Sequence, residues 1–102
     1  MKKRFSITAI IYDKRNRILS IGKNSYTKSH TYQAKLAKDV GSPEKIWLHA
    51  EVDSIIKCID LTKAYKISVF RYNEAGLAVS AKPCKICQAA IAKTPIQIIE
   101  HT

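Results

Sequence analysis

The sequence predicts an α/β fold, a mixed sheet with helices packed on it. Three observations carry this expectation. Four short apolar runs read as strands, two longer runs repeat at helical spacing, and one helical run lies between the last two strands.

Each element follows in chain order. In "RFSITAIIYD" (4–13), Phe5, Ile7, Ala9 and Ile11 recur at period two, which predicts a strand. "KRN" (14–16) supplies a polar turn and "RILSIG" (17–22) a second strand, so the two form an antiparallel hairpin. Residues 23–46 are the least regular. "TYQAKLAKDVG" (31–41) predicts a short helix that ends at Gly41, with Pro43 beyond it. The rest of that stretch is expected as a substrate loop or lid.

"LHAEVDSIIKCIDL" (48–61) places Leu48, Val52, Ile55, Ile56 and Ile59 at helical spacing, with Asp53, Lys57 and Asp60 toward water. "YKISVFRY" (65–72) is a third strand and "NEAG" (73–76) a turn. "PCKICQAAIAKT" (83–94) opens on Pro83, favoured in a helix's first turn, and is closed by Pro95. "IQIIEHT" (96–102) is a fourth strand, expected parallel to the third through a right-handed crossover.

The chain of 102 residues is the length of one domain, expected to span 1–102. Apolar residues make up 46%, enough for a core and too many for a disordered chain. No apolar run reaches the roughly 20 residues of a membrane span. The start, "MKKRFSITAIIYDKRNRIL", mimics a secretion signal, but polar residues interleave its apolar stretch and "DKRNR" stands where a cleavage site belongs. A cytoplasmic location is expected. Three cysteines, two of them three residues apart, fit a metal or redox site in a reducing compartment better than a disulfide framework. The net charge of +10 favours anionic partners such as nucleotides or single-stranded nucleic acid, although only "KKR" (2–4) and "KRNR" (14–17) are clustered.

Two motifs carry chemistry. Cys84 and Cys87, at i and i+3, share one side of a helix, so both sulfurs can reach one ion. By itself the pair also suits a redox site or half of a structural zinc site. With His49 it makes three ligands, the usual number at catalytic zinc, which keeps a fourth position for water. His49 and Glu51 are two apart, about 200° around a helix, so they converge only on an ion at the helix's N-terminal end. Helix N-termini there stabilise thiolates and anionic oxygen. Glu51 is then a general acid/base rather than a ligand. Cys58 lies nine residues after His49, about 13 Å along a helix, and is expected as a small core residue. His30 and His101 are expected on the surface.

"HAE" (49–51) and "PCKIC" (83–87) fit the H-x-E…P-C-x-x-C pattern of zinc deaminases. With the element order, the sequence resembles the cytidine/deoxycytidylate deaminase superfamily over nearly its whole length. The resemblance implies a three-layer sheet, shortened at the C-terminus, with Zn2+ on His49, Cys84 and Cys87. It implies hydrolysis, in which activated water attacks the ring carbon bearing an exocyclic amine and ammonia leaves. "GKN" (22–24) resembles the G-x-N of the deoxycytidylate and tRNA-adenosine branches, which places Asn24 near sugar and base. The Asn-x-Glu ribose motif of the free-cytidine branch is missing from "NSYTKS" (24–29). Ala50, Lys82 and Pro83 complete the expected substrate contacts.

The sequence departs from the pattern at Lys82, where the family usually has Ser, Thr or Glu. It also lacks the fifth strand and final helices, which leaves a sheet edge for another subunit, so a homo-oligomer is expected. The leading expectation is a deaminase of a free nucleotide, dCMP or CMP, with Lys23, Lys28, Lys82 and Lys85 near the mouth. A deaminase of single-stranded nucleic acid is the second reading, supported by charge and by Tyr26, Tyr32 and Trp47 as stacking groups. For Trp47, packing in the core or a loop is the plainer expectation. A zinc-stabilised binding module without turnover is the third.

Overall fold

The computed structural model describes residues 5–41 and 47–102. Two features of the sequence reading, the basic "KKR" start and Pro43, lie wholly or mostly outside these residues. Strands β1 (Ser6–Tyr12) and β2 (Ile18–Lys23) form the expected antiparallel hairpin. Its turn is organised by Asp13, whose carboxylate accepts the amides of Arg15 and Arg17, both at 2.9 Å, and the Arg17 Nε–H at 2.8 Å. Asn16 takes a left-handed φ of 61°, which asparagine tolerates.

Helix α1 (Thr31–Asp39) starts at His30, whose Nδ1 accepts the Tyr32 amide, and stops before Gly41 at φ 79°. Helices α2 (Ala50–Lys57) and α3 (Lys85–Ala92) start at His49 and Cys84 respectively. Strand β3 (Lys66–Tyr72) pairs antiparallel with β1 and parallel with β5 (Ile98–His101), with α3 in the connection. The expected parallel pair of strands is therefore present. A further strand, β4 (Ala78–Val79), pairs with the end of β3 across the Asn73–Gly76 turn. Two residues carry no readable period, which is why the sequence shows only a turn there.

The core is the space between the sheet and α2, α3 and α1. Ala9 and Ile11 of β1, Ile67 and Val69 of β3, Val52 and Ile55 of α2 and Ile86, Ala90 and Ile91 of α3 fill it. Helix α2 lies across β1 and β2, α3 beside α2, and α1 against α3. Gly22 sets how close α2 comes. A Cβ there would stand 2.8 Å from the Ser54 Cα and nearer still to the Ser54 nitrogen and the Ala50 oxygen. The contact is tied by Ser20 Oγ donating to the Ser54 carbonyl (2.7 Å) and by the Lys23 amide donating to Asp53 (2.9 Å).

Two expectations for α2 are corrected by this packing. Asp53 is buried, because it accepts the Lys23 amide and pairs with Lys57 at 2.9 Å instead of facing water. Ile59 is 92% exposed, because the helix ends at Lys57 and the chain turns extended at Cys58. Cys58 is half-buried against the core.

Candidate metal centre

His49 is the residue just before α2, with extended backbone angles (φ −84°, ψ 151°). The helical arithmetic that separates it from Glu51 therefore does not apply to it. Its amide is held by Gln33 of α1, whose buried side-chain oxygen accepts it at 3.2 Å. Cys84 takes the same place before α3 (φ −73°, ψ 174°), and Cys87, fully buried, lies in the first turn. Gln88 Nε2 donates to the Pro83 carbonyl (2.9 Å), fixing the approach to the helix. Two helix N-termini thus face one point.

His49 Nδ1 lies 3.3 Å from the Cys87 sulfur and 3.5 Å from the Cys84 sulfur. With Zn–N and Zn–S bonds of about 2.0–2.3 Å, the N···S edge of a zinc tetrahedron is about 3.6 Å. The spacing fits Zn2+. Among the described residues, these three are the cluster of potential ligands, their ligand atoms all within 4.8 Å of one another. Glu51 stands outside it. Three protein ligands leave the fourth position open, as at catalytic rather than structural zinc.

The electrostatics agree with a cation. Cys84 is held down to about 3, first by the hydrogen bond from the Cys87 thiol and then by His49. Cys87 is pushed up by the same bond and by burial. A divalent cation is what would permit two thiolates in a buried site. Burial also raises the Glu51 carboxyl above its ordinary range.

Glu51, His49 and Cys84 open into a cavity of about 420 Å³. Asn24 and Lys82, two of the expected substrate contacts, line it. Ala50 and Pro83 are buried and stand outside the lining. The Asn24 amide is already engaged: Oδ1 accepts the Ile7 amide (3.0 Å) and Nδ2 donates to the Phe5 carbonyl (3.1 Å). Of the four lysines expected at the mouth, Lys82 alone lines this cavity; Lys23 borders a neighbouring cleft. Trp47 is 47% exposed on the cavity wall, not packed in the core, because its strand-like bridge to Ser29 holds it at the rim. Tyr26 is beside it, while Tyr32 packs against the core. His30 and His101 are exposed, as expected.

One charged lining residue, Arg71, was not singled out from the sequence. Arg71 closes the inward-facing series Ile67, Val69, Arg71 of β3. The signal was a charge at the end of an apolar period-two series.

The model of the cytidine and deoxycytidylate deaminase zinc-binding region matches residues 1–100, so the chain belongs to that family. It is a family of zinc-dependent deaminases, and its substrates are of the nucleoside or nucleotide type. No curated protein matches the chain.

Proposed function

We propose that the chain is a hydrolytic deaminase of a free pyrimidine nucleotide, dCMP or CMP, yielding the uracil nucleotide and ammonia. The observation that carries this reading is the His49, Cys84, Cys87 cluster with Glu51 beside it, at the bottom of a cavity sized for one nucleotide. A zinc ion on the three ligands would supply Lewis acidity, lowering the pKa of water towards about 7.

Glu51 is the catalytic proton carrier. It takes one proton from the attacking water and gives it to the ring nitrogen, then takes the second from the hydroxyl now on the ring carbon, which becomes the carbonyl, and gives it to the departing amine. The water oxygen bonds to the ring carbon, the bond from that carbon to the exocyclic nitrogen breaks, and the nitrogen leaves as ammonia. Burial of Glu51 keeps it aimed at the cavity and away from bulk water. Lys82 meets the substrate's anionic end. Asn24 acts on the substrate wall chiefly by holding β1, and Ala50 and Pro83 contribute through the main chain.

The same reading takes residues 1–102 as one domain working in a reducing, cytoplasmic compartment, since both ligand cysteines must stay reduced. No described helix is long and apolar enough to cross a membrane. A homo-oligomer is part of the reading: β5 pairs only with β3 among the described strands, and Ile98 and Ile99 on it are exposed.

A second reading, deamination within single-stranded nucleic acid, is favoured by Tyr26 and Trp47 at the rim and by the charge of +10. The test offers cytidine, deoxycytidine, CMP, dCMP and a cytosine-containing oligonucleotide to the zinc-loaded protein. The expected result is turnover of a free nucleotide that disappears in Glu51→Ala. Turnover of the oligonucleotide alone establishes the second reading. No turnover of any of them refutes the pyrimidine assignment.

A further inference from the structure

Arg71 is the feature that the zinc chemistry does not use. It projects from the end of β3 into the wall of the same cavity, and every contact around it holds it there. Its guanidinium carbon lies 4.0 Å over the centre of the Phe5 ring. Phe5 is itself fixed: its amide donates to the Tyr26 hydroxyl (2.9 Å) and its carbonyl accepts from Asn24 Nδ2 (3.1 Å). Arg71 Nη1 donates to the Ser80 carbonyl at 3.3 Å. The backbone amide of Arg71 is anchored too, donating to Thr102 Oγ1 at 3.0 Å. The guanidinium is therefore stacked on one side and tied at one corner.

What its Nε lacks is an acceptor. Arg71 Nε is buried and, among the described residues, is the buried side-chain nitrogen or oxygen without a hydrogen-bond partner. Such orphans are rare in folded proteins and call for an explanation. Glu51 is the sole acid of the cavity lining and forms no ion pair with Arg71, which shares that lining with the cation Lys82. A guanidinium with a spare edge matches two oxygens of an oxyanion at once, which an ammonium cannot do.

We propose that Arg71 is the specificity residue for the phosphate of the substrate, a 5′-phosphomonoester seated against its free edge. The inference rests on the nucleotide reading above and sharpens it. The exposed Lys82 adds charge at the mouth, while Arg71 sets geometry, and it separates nucleotides from nucleosides. Asn24 and Tyr26 are then positioning residues that hold the Phe5 shelf under the guanidinium.

The experiment uses the reaction product, so it needs no turnover. Binding of UMP, uridine and a short uracil oligonucleotide to the zinc-loaded protein is measured by calorimetry, for wild type, Arg71→Gln and Arg71→Lys. Zinc content and thermal unfolding confirm that each variant is folded. Wild type is expected to bind UMP about ten- to a hundredfold more tightly than uridine. Arg71→Gln is expected to bring the two within about twofold by weakening UMP alone. Arg71→Lys keeps the charge but not the fork, and is expected to fall between them. It carries the test if the glutamine variant does not fold; a lysine variant equal to wild type overturns the proposal. Equal loss of UMP and uridine overturns it as well, since Arg71 then meets base or sugar. So does an Arg71-dependent preference confined to the oligonucleotide, which assigns the residue to a phosphodiester. Deamination without Arg71-dependent UMP preference leaves the enzyme reading and removes this one. An Arg71-dependent preference without deamination does the reverse.

Discussion

Replacing Gly22 by alanine tests how the sheet positions the metal centre. The added Cβ would meet the backbone of α2, 2.8 Å from the Ser54 Cα where ordinary contact begins at 3.4 Å. The helix must withdraw by at least 3.4 − 2.8 = 0.6 Å, and further to clear the Ser54 nitrogen and Ala50 oxygen. Backbone cannot rotate aside as a side-chain tip can. Overpacking of this kind costs about 1–3 kcal/mol. Stretching the Ser20–Ser54 and Lys23–Asp53 hydrogen bonds adds about 1 kcal/mol. Alanine restricts the unfolded chain and returns about 0.4–1 kcal/mol, which is too little to reverse the sign. A net loss of about 2 kcal/mol lowers Tm by roughly 8–16 °C in a domain of this size. The assay is thermal unfolding by circular dichroism, with zinc titrated into wild type and variant in parallel. Weaker zinc binding should accompany the lower Tm, because His49 and Glu51 ride on the shifted helix. A variant whose Tm and zinc affinity both match wild type would refute the close-contact reasoning.

Three further outcomes are expected. Chelation of zinc should lower Tm by more than about 5 °C, and added zinc should restore it, because metal binding to the folded state alone adds to stability; Cys87→Ser should abolish both effects in the same fluorimetric scan. Asn24→Ala removes both side-chain bonds, to the Ile7 amide and the Phe5 carbonyl, so a loss of about 1–2 kcal/mol is expected in urea unfolding, whether or not substrate is present. Asp13 is held below the ordinary carboxylate range, chiefly by the Arg17 amide, so its contribution is full above the unfolded value near 4 and is lost as pH falls through its lower folded value. The Tm gap between wild type and Asp13→Asn should therefore be present at pH 6 and close in acid; a gap that widens in acid contradicts the sign.

The hairpin, the helices and the parallel β3–β5 pair were legible because alternation, helical spacing and Pro83 and Gly41 mark them locally. The His49, Cys84 and Cys87 cluster was legible as a candidate zinc site because histidine and paired cysteines at helix starts have few other uses together. The burial of Asp53 was not, since a carboxylate looks solvent-bound until the β2 amide it accepts is in view. Nor was the exposure of Trp47, set by a bridge to Ser29 eighteen residues away.

By itself the sequence determined the fold class, the family and the candidate metal ligands, because each rests on local period or on residue chemistry at fixed spacing. Only the tertiary structure decided the rest. It brought His49 within 3.5 Å of sulfurs thirty-five and thirty-eight residues away, engaged the Asn24 amide with β1 and left the Arg71 Nε without an acceptor in the cavity wall. The physical reason is common to all three. Whether a polar group is satisfied, and by what, depends on the chain segments that packing places beside it, and no neighbour in sequence reports them.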